Sequence, residues 1–389
     1  MKISSDRMHT THVGSLPRPN SLIEFMIAED NGDSFDEAAF ESTLSEAVTD
    51  VVKHQRQLGI DCVSDGEFSK RGFAVYAHER LDGLEPTGRA RPSPWEISRE
   101  ADDFPGFYAD EAKAKFRKPN QSNMQMCCTG AITYKGQTRL ERDLANLRAA
   151  CDANGVEEAF VPAISPSDVV GNQLNEYYST EEEFLYAVSD ALNVEYRAII
   201  DAGFMLQIDD PRLINYYVKN PHLSLEECRS WAFEQVEAIN YSLKGIPEDR
   251  IRYHTCYGIN MGPRVHDMEL KDYIDIILKI KACGYSFEAA NPRHEHEWRL
   301  WETVDLPSNK ILIPGVITHS SVLVEHPELI ADRIERYAKI VGPERVIAGA
   351  DCGFGTQASA TPEIHPSIVW AKFKAMSEGA ELATKRLWN

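Results

Sequence analysis

Residues 179–210 read STEEEFLYAVSDALNVEYRAIIDAGFMLQIDD. Ser179 and Thr180 followed by three glutamates supply a cap and negative charge for a helix N-terminus, and Gly203 suits its end. The amphipathic pattern between them predicts a helix over 180–202. The apolar run 204–208 that follows is strand-length and ends on Asp209 and Asp210. This is one βα repeat seen from its middle, and it recurs in both directions along the chain. Strands are expected at 10–15, 61–65, 123–129, 159–164, 204–208, 251–255, 286–289, 311–316 and 345–350. Helices are expected at 36–58, 138–153, 180–202, 225–243, 270–283 and 327–341. Strictly alternating units of this kind give parallel strands joined by right-handed crossovers.

A closed barrel needs eight strands, and nine are read. The stretch 123–129 is therefore assigned to a hairpin. The segment 86–125 is rich in proline, arginine and aromatics and too long for a βα loop, so it is read as an irregular insertion over the barrel mouth. The expectation is a single TIM-type (β/α)8 barrel domain over 1–389. An open doubly wound sheet is the runner-up, disfavoured because no Gly-x-Gly-x-x-Gly follows the first strand.

The chain has 389 residues, 43% of them apolar, enough for a large core, and a net charge of −20. Such acidity disfavours nucleic acid and anionic membranes as partners. No run approaches the roughly 18–20 apolar residues of a membrane span, and residues 1–11 lack the apolar stretch of a signal peptide. Eight scattered cysteines fit a reduced compartment, so a cytoplasmic location is expected. Composition does not decide between a monomer and a homo-oligomer.

Charge-capable residues sit at strand tip after strand tip: His12 and Ser15, Glu67, Asp209 and Asp210, His254 and Cys256, Glu288, His319, Asp351 and Cys352. In a barrel those tips converge on one mouth, where barrel enzymes keep their active sites. His254 and Cys256 are two apart on a strand, so their side chains share a face. Glu288 ends the next strand and Cys352 the last one, within Asp351-Cys352-Gly353. One imidazole, two thiolates and a carboxylate match zinc in ligand type and number. The histidines of 291–298 read as a solvated surface, with Arg293 or His294 as candidate substrate contacts. Cys127 and Cys128 face opposite sides of a strand and are not a metal pair.

These motifs resemble those of the cobalamin-independent methionine synthase family, in its catalytic C-terminal half. Thr11-His12-Val13-Gly14-Ser15-Leu16-Pro17 is similar to that family's Ile-Gly-Ser-Phe-Pro entry strand. Ser64-Asp65-Gly66-Glu67 is similar to its His-Gly-Glu, and Gln207-Ile208-Asp209-Asp210-Pro211 to its Gln-Ile-Asp-Glu-Pro. The resemblance runs in sequence order from about residue 8 to about 360; the long enzyme's N-terminal barrel has no counterpart. It implies Zn2+ held by His254, Cys256, Glu288 and Cys352. It implies a homocysteine-like thiol bound by Gly14, Ser15, Glu67 and Asp209, and proton transfer by His319. Coordination to zinc would keep the substrate thiol deprotonated, ready to attack an electrophilic carbon. The implied activity is methyl transfer of the 5-methyltetrahydropteroyltriglutamate–homocysteine type. Two alternatives are an epoxide–thiol transferase of the coenzyme M kind and a barrel with structural zinc. The donor is left open, because the family's pterin-stacking tryptophan should fall within 166–173 and none is there. Arg89, Arg91, Arg117 and Lys118 are the one basic cluster in the insertion.

Overall fold

The computed structural model describes residues 1–389 apart from Pro94, 115–122, 259–260, 359–361, Glu363 and Asn389. Arg117 and Lys118 thus lie outside the described residues. In chain order the strands are β1 (His9–Thr10), β2 (Cys62–Val63), β3 (Leu81–Ala90), β4 (Met124–Tyr134), β5 (Glu158–Ile164), β6 (Gln173–Asn175), β7 (Met205–Asp209), β8 (Ile251–Thr255), β9 (Gly284–Phe287), β10 (Ile311–Ile317) and β11 (Ile347–Ala350). Eight of them form one parallel sheet in the order β1-β11-β10-β9-β8-β7-β5-β2. The Asp61 amide donates to the Thr10 carbonyl at 3.1 Å and brings the two edges together. The fold is a TIM-type (β/α)8 barrel.

The helix read at 180–202 forms as Glu181–Asp201, with the Thr180 hydroxyl accepting from the Glu183 amide. It buries Phe184, Val188 and Ile199 completely, each worth about 1.5–3 kcal/mol of transfer free energy. The helix is tied to the barrel where the Tyr196 hydroxyl donates to the Ile164 carbonyl at 2.6 Å. Strand register then sets the site. Ile164 pairs with Asp209, Asp209 with His254, and His254 with Ser286, which places the chemistry-bearing tips in one row.

Several expectations need correction. The first two barrel strands cover two residues each, not 10–15 and 61–65. Side chains replace the ladder there. Arg252 donates to the His12 carbonyl at 2.7 Å, Gln207 donates to the Val13 carbonyl, and Gln55 bonds both the amide and the carbonyl of Ser64. The helix expected at 270–283 shrinks to a 3-10 turn, Leu270–Asp272, and one α turn, Ile274–Ile277. Arg229 captures the Asp272 carbonyl, so the Ile276 amide bonds Tyr273 three residues back. The insertion is more regular than read. β3 and β4 form the expected hairpin, β6 joins it in a second sheet, and helices Arg99–Asp103 and Pro105–Ala114 lie between the two long strands. The helices Asn20–Asn31 and Pro366–Leu387 were not anticipated.

Candidate metal and thiol site

At the C-terminal mouth the ligand atoms of His254, Cys256 and Cys352 lie within 4.8 Å of one another, all three side chains buried. β8 carries His254, Cys256 follows directly after its last residue, and Cys352 arrives on the turn after β11. Gly353 is needed there, because a Cβ at this position would stand 2.0 Å from the Ser15 hydroxyl. The two sulfurs are 2.9 Å apart and unbonded. Cys352 at that distance, with burial second, pushes the Cys256 thiol well up. Both sulfurs can ionise together only with a cation between them. Burial pushes His254 down to about 3, so the imidazole is neutral, as a metal ligand must be. Its Nδ1 lies 3.2 Å from the Ser286 hydroxyl, while its Nε2 is buried with no hydrogen-bond partner among the described residues. An orphaned buried nitrogen beside two thiols is a set that fits zinc.

Glu288 is in the neighbouring cluster, with His319 and Asp351. Its Oε1 accepts from the Tyr257 amide at 2.8 Å, and its Oε2 from Arg264 at 2.8 Å and Asn291 at 2.7 Å. The structure thus brings together three of the four expected ligands and engages the fourth elsewhere. His319 is pushed down to about 4 by burial, against the pull of Asp351, and is neutral. Its Nε2 lies 3.3 Å from the Gly258 carbonyl, which leaves the Nδ1 lone pair without a partner among the described residues. Asp351 accepts from the amides of Ala289 and Ala290 and so fixes the turn that carries Glu288.

The expected thiol pocket borders this centre. Gly14, at φ 136°, adopts a conformation open to glycine, and a Cβ there would meet Pro162 at 2.4 Å and the Glu67 carboxylate at 3.0 Å. Glu67 is buried in the left-handed region at φ 58°. Such strain costs about 1–3 kcal/mol and concentrates at functional positions. Lys70 stands 3.9 Å from it. Asp209 accepts from Gln207 at 2.7 Å. Burial, then the charge of Glu67, pushes its carboxyl well up. Two buried acids thus repel each other here, with the Lys70 ammonium beside them.

Other tips serve structure. His12 is buried between Gln55 at 2.7 Å and the Gly14 amide. His294 touches Asp267 at 3.2 Å and Glu297 at 3.1 Å; burial opposes its charge, but the two acids win and raise it to about 9. Arg91 bonds Asn172 at 3.1 Å, and Arg89 is exposed. Sequence reading missed Arg18, whose guanidinium donates to the carbonyls of Gly355, Glu67 and Lys70 and ties the acid loop to the Cys352 turn. It also missed Arg264. Neither carries a periodic or motif signal; only contact distances reveal them.

A (β/α)8 barrel with an imidazole and two thiols converging at its mouth defines a class: barrels equipped to hold a thiophilic metal. Comparison with known proteins makes the assignment more particular. Residues 8–91 match the family described as cobalamin-independent synthase, catalytic domain. The methionine synthase of Sulfolobus acidocaldarius is 25% identical over 346 residues, covering 88% of this chain and 85% of its own. That of Thermococcus kodakarensis is 24% identical over 379 residues, covering 97% and 94%. In fold, the chain is similar to a B12-independent methionine synthase from Shewanella sp. W3-18-1, solved in complex with selenomethionine. The TM-score is 0.74 at 19% identity, covering 98% of this chain and 99% of that one. The chain resembles the cobalamin-independent methionine synthases in sequence along most of its length, and one of them in fold.

Proposed function

We propose that this chain transfers a methyl group to the sulfur of homocysteine, on a single barrel domain over 1–389 whose segment 86–125 covers the mouth. The observation that carries this reading is the His254–Cys256–Cys352 cluster with its orphaned Nε2. His254, Cys256 and Cys352 would hold zinc, with Glu288 as an exchangeable fourth ligand. Zinc bound there lowers the pKa of a substrate thiol and keeps its sulfur nucleophilic at neutral pH. Glu67 and Asp209 receive the ammonium of the amino acid. Ser15 receives its carboxylate at the turn that Gly14 makes, the Gly14 amide being held by His12 Nδ1 at 3.2 Å. The neutral Nδ1 of His319 takes the proton released by the thiol and returns it to the donor's departing atom. Burial of all these groups excludes water from the reacting sulfur.

A purely structural zinc would need four closed protein ligands. The three hydrogen bonds on Glu288 weigh against that. The test is to follow methionine formation by the zinc-loaded protein with homocysteine and a panel of methyl donors. Parallel arms with coenzyme M and epoxides address the alkyl-transfer alternative. Methionine formed from no donor in the panel would overturn the reading.

Two expected outcomes belong here. His319→Ala should lower kcat by about 10²–10⁴-fold, the usual worth of a positioned proton carrier, and leave zinc content unchanged. Loss of zinc in that variant would instead make His319 a ligand. The second concerns the donor. The region expected to carry a stacking tryptophan is the helix Pro166–Gly171, with none. Stacking of a flat heterocycle contributes about 1–3 kcal/mol. 5-Methyltetrahydrofolate should therefore turn over well below the preferred donor, and steady turnover near about 10 s⁻¹ would contradict this.

A further inference from the structure

Among the described residues, only Glu67 and Arg264 are non-glycine residues with positive φ. Arg264, at φ 60°, is buried, and it lies in the loop after the Cys256 strand. Its conformation is held from outside the barrel core. The Arg264 amide donates to Glu100 Oε2 at 3.0 Å, and the His266 amide to Glu100 Oε1 at 2.6 Å. Glu100 is fully buried and belongs to the inserted helix Arg99–Asp103. Asp103 of the same helix lies 2.6 Å from the His266 ring. The insertion therefore clamps one short stretch of backbone with a buried carboxylate.

The clamp fixes where the guanidinium goes. Arg264 Nε donates to Asp267 at 2.7 Å and its Nη2 to Glu288 Oε2 at 2.8 Å, with the Tyr257 ring 5.2 Å from the guanidinium. The other oxygen of Glu288 accepts the amide of Tyr257, the residue that follows Cys256. So the carboxylate stands beside the His–Cys–Cys cluster, yet each of its oxygens already accepts hydrogen bonds from protein donors. A charged guanidinium at 2.8 Å is a strong competitor for a carboxylate that an adjacent cation would also attract.

We infer that Arg264, held in its left-handed conformation by Glu100 of the insertion, is a positioning residue that competes with the metal ion for the Glu288 carboxylate and keeps a coordination position open for the substrate thiol. This rests on the metal reading above. It assigns the insertion a part in the chemistry: its Glu100 sets, through Arg264, how many protein ligands the ion has before substrate arrives. Without Arg264, Glu288 closes the shell, and the thiol must displace it; apparent affinity falls by the fraction of open sites.

The test uses the full-length protein loaded with cobalt(II), whose visible d–d bands report ligand number. The variants are Arg264→Gln, Arg264→Lys, Arg264→Gln combined with Glu288→Gln, and Glu100→Gln. Arg264→Gln should change the substrate-free spectrum, slow removal of cobalt by a chelator about tenfold, and weaken homocysteine binding about tenfold. Arg264→Lys should restore much of each, since the charge remains. Adding Glu288→Gln should cancel the Arg264→Gln effects, because the competing ligand is gone. Glu100→Gln should shift all three readouts in the same direction by less. An Arg264→Gln protein with the parental spectrum and homocysteine affinity overturns the inference. So do effects that survive in the double variant. Should Arg264→Gln fail to fold, an unchanged Glu100→Gln protein overturns it equally. A parental protein that takes up no cobalt overturns the metal reading and this inference together, a different result from unchanged variants in a metallated protein.

Discussion

Cys352→Ser should purify with almost no zinc and form no detectable methionine from homocysteine. Three donor atoms converge within 4.8 Å, and one of them is this sulfur. A serine hydroxyl stays protonated where a thiol ionises on zinc, so the ion loses a negative ligand as well as a soft one. Substitutions in the outer shell of such sites cost about 10–100-fold in metal affinity; loss of a direct ligand should exceed that. Metal analysis after dialysis checks the expectation, alongside the melting temperature to confirm a folded barrel. A Cys352→Ser protein holding one equivalent of zinc at parental affinity would remove Cys352 from the ligand set. In the metal-free parent, the sulfurs at 2.9 Å should be the first pair lost to a mild thiol oxidant, and zinc should protect them.

Asp209→Asn and Glu67→Gln should raise the KM for homocysteine about thirtyfold or more, with zinc content unchanged. Truncating one partner of a buried charge pair costs about 2–5 kcal/mol, and each acid is assigned to the substrate ammonium. Asp209→Asn carries a second, opposite signature. The folded protein holds the Asp209 carboxyl well above its ordinary value through burial and the charge of Glu67. An acid whose folded pKa is raised binds its proton more tightly in the native state. It therefore subtracts stability as pH rises from the ordinary carboxylate range up through the raised value, and the loss is complete above it. Removing that charge should raise the melting temperature at neutral and alkaline pH while it weakens the thiol substrate. Asparagine keeps an oxygen to accept from Gln207, so no hydrogen bond is lost. Unchanged kinetics in both variants would mean that the thiol is not an amino acid.

The barrel was legible because most of its βα units repeat the pattern of 179–210. An amphipathic run closes on a glycine or a polar turn, and a short apolar strand ends on an ionisable tip. The convergence of His254, Cys256 and Cys352 was legible for the same reason. His254 and the residue two beyond it, Cys256, leave the end of β8 together, and Cys352 follows the end of β11. Three things were hidden. Strand lengths at β1 and β2 depend on Arg252, Gln207 and Gln55 replacing backbone partners, which no local pattern encodes. The helix at 270–283 is cut short by Arg229, distant in sequence. The hydrogen bond from Arg264 to Glu288 was hidden because Arg264 sits in a loop without periodicity, positioned by a glutamate more than 160 residues away. Tertiary contacts decide each case, and a sequence window does not contain them.

If His254, Cys256 and Cys352 hold a zinc ion with room for the substrate's sulfur, the number of sulfurs around the ion rises when homocysteine binds. X-ray absorption at the zinc edge, on the zinc-loaded protein with and without homocysteine, tests it most directly. Two sulfur neighbours near about 2.3 Å are expected in the free protein and three once homocysteine is added. A protein that binds no zinc, or a sulfur count that stays at two with saturating homocysteine, would contradict it.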